Sequence, residues 1–406
     1  MKVDTMRSID KWAGVPLTFI FSFFIGLWDI VFIRGSKKPD IRRTLLIELS
    51  EMGSALLVDP AMQKLKKEGK VDLFFAIFKD NYKSLKILNT IQDENIFSMR
   101  SDNFFHLALD IMKFIVWCRS KKITCVIDLE LFSRFTALLS GLSGAKSRIG
   151  FNTHHDEGMY RGNIINFPVR YNAHVHISIN FMSLVNTALG FHDNPYPTTP
   201  IGQNEVKLAN VRIDQETIRK VEAKIKTIYP SFKQQKIIIL NANASDLLPQ
   251  RRWLPEYFVA VGRKLLDTYD NILIVATGAP KEREYVQDVV SNINHERCVN
   301  SAGIFEFEEL VPLYSLATTM LTNDSGPAHF ASVTPLKVFV IFGPETPALY
   351  GPLGNAESIY LGLPCSPCVS AANHRKTTCL TRPCITGISP DLVEQKMLNY
   401  LDTVFT

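Results

Sequence analysis

Residues 319–354, TMLTNDSGPAHFASVTPLKVFVIFGPETPALYGPLG, constrain the fold more than any other stretch of the chain. Met320 and Leu321 read as the end of a strand. Asn323, Asp324, Ser325, Gly326 and Pro327 then predict a tight turn, with Pro327 placed to open a helix. Asp324 and Ser325 are both good N-cap types. A second apolar run, 338–342, reads as a buried strand and stops at Gly343, Pro344, Glu345 and Thr346. Strand, turn, helix and strand make a parallel β-α-β unit. The first N–H groups of its helix lack internal partners, and the helix dipole is positive there. Small turn residues let an anion approach those groups. Ser325 and Thr346 add hydroxyl donors. The segment therefore predicts a phosphate cradle at the carboxyl end of parallel strands, where open α/β sheets bind ligands. The plain alternative is a β-α-β unit whose turn happens to be small.

The rest of the chain repeats the alternation. Strands are expected at 44–49, 71–77 and 123–128, and helices at 55–67, 104–119, 132–142 and 174–189. In the second half, strands are expected at 236–241 and 271–276. Helices are expected at 255–266, 281–290, 306–316 and 390–404. Strands alternating with helices argue doubly wound parallel sheets. Pro195, Pro197 and Pro200 mark 194–204 as an interdomain linker. A chain of 406 residues suits two domains with extras.

The net charge is +5, and no basic stripe is interleaved with aromatics, so nucleic acid is not an expected partner. The odd cysteine count, seven, suggests a reducing compartment. Cys365, Cys368, Cys379 and Cys384 have a spacing that in isolation suggests zinc, with His374 a further candidate ligand. Free thiols or a redox pair are the alternatives. His154, His155, Asp156 and Glu157 lie together in an irregular stretch, 152–173, and read as a solvated loop.

Residues 15–33, VPLTFIFSFFIGLWDIVFI, carry Asp29 as their only charge. The run is long enough for about one bilayer crossing. Arg34, Lys37, Lys38, Arg42 and Arg43 follow, against the single acid Asp40, which keeps the body of the protein cytoplasmic by the positive-inside rule. No small-residue cleavage site follows the run, which argues against a removed signal peptide. A spanning anchor, an in-plane helix and a soluble core helix are the readings left open.

The segment TNDSGPAHFAS with PLKVFVIFGPETPALYGPLG resembles the signature of the heptosyltransferase family, glycosyltransferase family 9. The resemblance runs over about 44–395 and is strongest in the second half. It implies the GT-B fold, with two Rossmann-like domains facing a central cleft. The implied division is a membrane-associating segment at 1–43, an acceptor-side domain at 44–193, a nucleotide-sugar domain at 205–389, and a C-terminal helix at 390–406 crossing back onto the first domain. The implied activity is inverting, metal-independent transfer of a heptose-like sugar. The donor would be a nucleotide sugar such as ADP-heptose. The acceptor would be a lipid-linked saccharide such as lipopolysaccharide core, at the cytoplasmic face of the inner membrane. No cofactor is implied.

The resemblance also assigns residues. Asp324, Ser325 and Gly326 match the turn at the donor diphosphate, and His329 matches a histidine on the helix after it. A carboxylate facing phosphate would repel it, so Asp324 is given a loop-ordering role or a sugar hydroxyl. Arg251, in PQRRWLPEYF, falls at the family's phosphate-binding lysine; an arginine keeps the charge and adds a fork. The alternative for Arg251 and Arg252 is a solvated surface. Glu282, or Glu284, matches an acid at the ribose. Related chains often carry cysteines where Cys365 and Cys368 stand. The departure is at Ser54, where the family has its catalytic aspartate. A neutral hydroxyl is no general base at neutral pH, which leaves Glu51 as the candidate base. A chain that binds nucleotide sugar without transferring it, and a membrane-tethered assembly protein, are the other readings.

Overall fold

The computed structural model describes residues 3–32, 38–49, 52–131, 133–152, 161–192, 194–209, 211–370, 373 and 375–405. The chain divides into two compact units, Met1–Ala209 and Asn210–Thr406.

The first unit opens with two helices, α1 (Val3–Trp12) and α2 (Gly14–Phe32). Then come β1 (Arg43–Ile47), α3 (Met52–Leu57), α4 (Asp59–Gly69), β2 (Asp72–Phe78), α5 (Tyr82–Leu88) and β3 (Ile96–Met99). The unit finishes with α6 (Phe104–Ser120), β4 (Cys125–Asp128), α7 (Arg134–Leu142), β5 (Ser147–Phe151), β6 (Phe167–Val169) and α8 (Ile177–Ala188). Its six-stranded sheet has the order β3-β2-β1-β4-β5-β6, and every pairing is parallel. Leu45, Leu46 and Ile47 of β1 are fully buried, as central parallel strands covered on both faces must be. The helix expected at 55–67 is broken at Val58. Pro60 lacks an N–H to continue the first helix and instead sits in the opening turn of α4. β5 is not the edge of this sheet, since β6 pairs outside it.

The apolar run forms one helix as far as Phe32, and its polar residues face inward. Thr18, Ser22 and Asp29 share a stripe with Ile25 at helical spacing. Ser22 Oγ accepts the Asn163 N–H at 3.0 Å, and Asp29 pairs with Arg148 at 2.5 Å. A Cβ on Gly162, whose φ is +63°, would fall 1.7 Å from Ser22 Oγ, and one on Gly141 would fall 2.5 Å from Ile25 Cδ1. Glycine at these positions lets α2 lie closely on the unit. Asp10 of α1 accepts the Phe135 N–H at 2.9 Å and pairs with Arg134 at 3.4 Å, at the start of α7. The opposite side of α2, with Phe19, Phe23, Phe24, Ile30 and Val31, is exposed.

The proline-bearing stretch expected as a linker is tied into the first unit. Pro195 accepts the Arg170 N–H at 2.7 Å, and Glu205 pairs with Lys64 at 2.8 Å. Asp59, fully buried, takes the Ala209 N–H at 2.9 Å together with Gln63 and Thr90, which makes it a structural carboxylate.

Asp110, on the inner face of α6, is clasped by Arg100. Two guanidinium bonds of 2.9 and 2.7 Å and the Arg100 N–H at 2.9 Å reach its oxygens. The guanidinium holds this carboxyl down at about 2. A folded-state pKa below the unfolded value adds stability that is complete above about pH 4 and is lost as pH falls through 2. We therefore expect Asp110→Asn to remove about 1–2 kcal/mol of stability at neutral pH, a discounted figure because Arg100 is partly exposed. The variant should also unfold less steeply with acid between pH 4 and 2 than the parent, as denaturant titrations at each pH would show.

The second unit carries α9 (Gln215–Ile228), β7 (Lys236–Asn241), α10 (Pro255–Thr268), β8 (Ile272–Ala276), α11 (Arg283–Ile293), β9 (Cys298–Asn300) and α12 (Leu310–Leu316). After these come β10 (Ala317–Asn323), α13 (Gly326–Ala331), β11 (Lys337–Ile341), α14 (Pro347–Tyr350), β12 (Ala356–Ile359), α15 (Pro383–Thr386) and α16 (Pro390–Phe405). Its six-stranded parallel sheet has the order β12-β11-β10-β7-β8-β9. Val393, Met397 and Leu401 of α16 join the core of this unit beside Phe258, Val261 and Leu265 of α10. The helix expected to cross back onto the first domain is thus packed in the second unit.

Candidate active site

In each sheet the strand order reverses beside the first strand, between β7 and β10 in the second unit and between β1 and β4 in the first. Loops leaving the carboxyl ends of the strands diverge there and open a crevice, the usual ligand site of such sheets.

Asn323 builds the crevice of the second unit. Fully buried at the end of β10, it accepts the Trp253 N–H at 2.8 Å and donates to the Ala242 carbonyl at 2.9 Å. One amide thus binds both ends of the loop that follows β7. Trp253 is itself fully buried. It donates from Nε1 to the Ile388 carbonyl at 2.9 Å and stands edge-on to Phe258 at 5.1 Å. Arg251 closes a short turn, its N–H bonded to the Leu248 carbonyl at 3.1 Å. Its guanidinium lies 3.5 Å from the buried Asp324 carboxylate. The structure thus brings Arg251 to Asp324.

The two arginines have different duties. Arg252 donates from Nε at 2.9 Å and from Nη2 at 2.6 Å to the Ala244 carbonyl, and also pairs with Asp246. It holds the loop, while Arg251 stands at the strand ends.

Ser325 precedes α13, but its hydroxyl does not cap the helix. It donates back to the Asn323 carbonyl at 3.1 Å. The helix has six residues. Pro327 has no N–H, and Ala328 gives its own to the Ser325 carbonyl at 3.1 Å. Gly326 is therefore the N–H donor of this first turn, and positive charge at the crevice comes chiefly from Arg251. His329 is buried on α13. Thr346 lies beyond the end of β11 and caps α14, its Oγ1 accepting the Ala348 N–H at 3.3 Å. Beside it the buried Glu345 meets Arg375 at 3.3 Å, and Arg375 lies 4.3 Å over the Tyr350 ring. The sequence reading missed that pair.

Glu282 follows β8. Its carboxylate accepts the Ala279 N–H at 2.7 Å, which closes a reciprocal cap with its own N–H on the Ala279 carbonyl at 2.9 Å. Tyr285 Oη reaches the Ala242 carbonyl at 3.2 Å and ties this helix to the Arg251 loop. Glu284 is exposed on α11.

In the first unit, Glu51 lies outside the described residues, as do His154, His155, Asp156 and Glu157. Ser54 is in α3, directly after the reversal point. The end of β1 before it is braced from both sides. Glu130 accepts the Leu49 N–H at 3.0 Å, and Asn81 donates to the Leu49 carbonyl at 2.8 Å. Asp128, at the end of β4, is wholly buried against Arg161. Arg161 also donates to the Phe151 carbonyl at 3.0 Å, the Ser133 carbonyl at 3.1 Å and Thr136 Oγ1 at 3.0 Å. Burial pushes the Asp128 carboxyl above the ordinary range, against the pull of Arg161. The one sequence signal for this pair was a lone acid ending a buried strand.

Among the described residues, no group of three or more His, Cys, Asp or Glu side chains is arranged to hold a metal ion. The spacing of Cys365, Cys368, Cys379 and Cys384 is thus not realised as a ligand set. All four are free thiols, Cys379 accepting the Arg382 N–H at 3.3 Å. Burial, with Cys368 nearby, raises the Cys384 thiol. His374 lies outside the described residues.

Two Rossmann-like units, each a parallel sheet with its reversal point, define a chain of the GT-B fold class. Solved structures agree. An ADP-heptose lipopolysaccharide heptosyltransferase II from Escherichia coli superposes with a TM-score of 0.66 at 17% identity, over 90% of this chain and 100% of the other. A glycosyltransferase family 9 protein from Veillonella parvula gives 0.68 at 17% identity, over 90% and 99%. The description of glycosyltransferase family 9 (heptosyltransferase) matches residues 113–378, and this chain belongs to that family. Among curated relatives, lipopolysaccharide heptosyltransferase 2 of E. coli is 26% identical over 132 residues, covering 32% of this chain and 37% of the relative. The lipopolysaccharide core heptosyltransferase OpsX of Haemophilus influenzae is 23% identical over 246 residues, covering 60% and 64%. The matched stretches therefore span between about a third and two thirds of these curated relatives.

Proposed function

We propose that this protein transfers a heptose-like sugar from an ADP-sugar donor to a lipid-linked saccharide such as lipopolysaccharide core. The observation that carries the proposal is the placement of Arg251 beside Asp324 at the strand reversal of a family 9 chain. Family relatives are named for heptose transfer to lipopolysaccharide and lipooligosaccharide.

The chemistry follows from the charges. The acceptor hydroxyl loses its proton to a carboxylate base, and its oxygen attacks the anomeric carbon. The bond from that carbon to the phosphate oxygen breaks, and ADP leaves with the negative charge. A single displacement inverts the anomeric centre. The Arg251 guanidinium and the Gly326 N–H stabilise the departing diphosphate, usually the largest contribution in such a site. Neither role calls for a metal. Ser325, Thr346 and His329 line the same strand ends, and Glu282 serves the ribose hydroxyls. Glu51 is the base in this reading, since Ser54 stands where the family has an aspartate.

The helix α2 sets the location. Its polar stripe is engaged by the first unit, which favours a helix lying in the membrane surface over one crossing it. The basic run at 34–43 supports the cytoplasmic side of the inner membrane for that surface, since anionic lipids of that leaflet attract polybasic segments.

Incubating the protein with ADP-heptose and a heptose-deficient lipopolysaccharide acceptor, and reading product by mass spectrometry, tests the proposal. Glu51→Gln is expected to lower kcat by about a hundred- to ten-thousand-fold while leaving donor affinity within a few-fold. Donor binding without turnover in the parent would support the second reading, a nucleotide-sugar-binding protein that has lost catalysis, which Ser54 favours. No binding of any ADP-sugar would end both readings.

A further inference from the structure

Helix α6 carries apolar residues on both its inner and its outer face. Its inner face is core: Phe114 and Cys118 are buried, and Phe97 packs on Phe114 and Trp117 at ring distances of 5.5 and 5.3 Å. Its outer face should then be polar, as on an ordinary surface helix. It is not. Phe105 is 74% exposed, Leu109 41%, Met112 62% and Val116 67%. These positions fall at helical spacing and form one outward stripe over successive turns. Soluble monomers rarely expose such a continuous strip without using it.

The strip continues toward a second apolar face. The last turn of α6 reaches the end of α7, where Arg119 donates to the Ser143 carbonyl. On the same short stretch of chain, Ile25 of α2 lies against Gly141. The outer faces of α2 and α6 thus flank one corner of the first unit. Apart from Asp102, which pairs with His106 at the start of α6, the exposed charges bordering α6 are basic. Asp110, the acid of α6, is turned inward to Arg100, while Lys113 and Arg119 are exposed and Lys121 and Lys122 follow directly. Trp12 and Trp28 are exposed near the ends of the N-terminal helices, where interfacial aromatics belong. Apolar strips edged with basic residues suit an anionic lipid surface. A second copy packed face to face would set these cations against their own counterparts.

We propose that the outward face of α6 is a second lipid-binding element, continuous with α2, so that the first unit rests on a bilayer through two helices. The inference rests on the membrane reading of α2 given above and extends it to a segment outside the N-terminal run.

The test is co-sedimentation of the full chain with vesicles of phosphatidylethanolamine and phosphatidylglycerol, with gel filtration and thermal unfolding alongside. The substitutions Phe105→Ser, Met112→Gln and Val116→Gln, made together, are expected to weaken vesicle binding about tenfold or more with the unfolding temperature unchanged. Phe19→Ser with Phe23→Ser should weaken it independently, and the combined set should abolish it. If the α6 set binds vesicles like the parent while the α2 set does not, the α6 proposal is overturned and the α2 reading stands. A parent that binds no vesicles overturns both. A parent dimer that the α6 set converts to monomer, with vesicle binding unchanged, assigns the face to a second copy and also overturns the proposal.

Discussion

Replacing Arg251 with alanine is expected to lower kcat/KM for the ADP-sugar by about a hundred- to a thousand-fold. That is the usual loss when one donor aimed at developing charge is removed from a closed site. The guanidinium is held 3.5 Å from the buried Asp324 carboxylate, so it is aimed before any ligand arrives. Arg251→Lys keeps the charge and loses the fork, and an intermediate loss is expected. Arg252→Ala is the control. Its guanidinium clasps the Ala244 carbonyl, so its loss should show in loop order and stability more than in donor recognition. Steady-state ADP release with saturating acceptor, and calorimetric donor titration, separate the two. A rate for Arg251→Ala within about twofold of the parent would remove the cation from the mechanism, and with it the present account of the diphosphate site.

Asp128→Ala should destabilise the first unit by about 3–5 kcal/mol, the cost of leaving one buried partner of an ion pair alone. Arg161 is almost wholly inaccessible and is bonded to backbone carbonyls as well as to Asp128. It cannot turn to water when the carboxylate is lost. For a unit of this size the loss corresponds to a fall in melting temperature of about 10 °C or more. Replacing Asp128 and Arg161 together with apolar residues of similar volume should recover much of it, because the pair's own desolvation cost disappears with it. Equal melting temperatures for Asp128→Ala and the parent would show that the pair contributes nothing to the unit.

Asp128 and Arg161 also show where sequence reading stops. Asp128 ends a run legible as a strand, but Arg161 arrives from the irregular stretch at 152–173, which carries no periodic signal. Nothing local says that the two meet. Asn323 is a similar case. In sequence it is a turn residue; in the fold its amide holds both ends of the Arg251 loop. Arg251 and Asp324 each sit in a short motif beside a strand end, but that they meet was not legible either.

By itself the sequence determined the two-fold alternation, the central strands and the resemblance to family 9. Strands covered on both faces must be apolar throughout, and so 236–241 and 338–342 announce themselves. The four edge strands, Ile96–Met99, Phe167–Val169, Cys298–Asn300 and Ala356–Ile359, were invisible in the chain. They are short and half covered, one contains Pro168 and another Glu357, and only a neighbour already in place makes them strands. Tertiary structure also decided which side of each apolar helix is inside. Ser22 and Asp29 turn α2 inward because their partners, the Asn163 N–H and Arg148, lie on the first unit. Phe114 and Cys118 turn α6 inward because the sheet is there, and this leaves Phe105, Met112 and Val116 facing out. Periodicity alone cannot orient a helix with apolar residues on both faces, since the inner face is chosen by what it packs against.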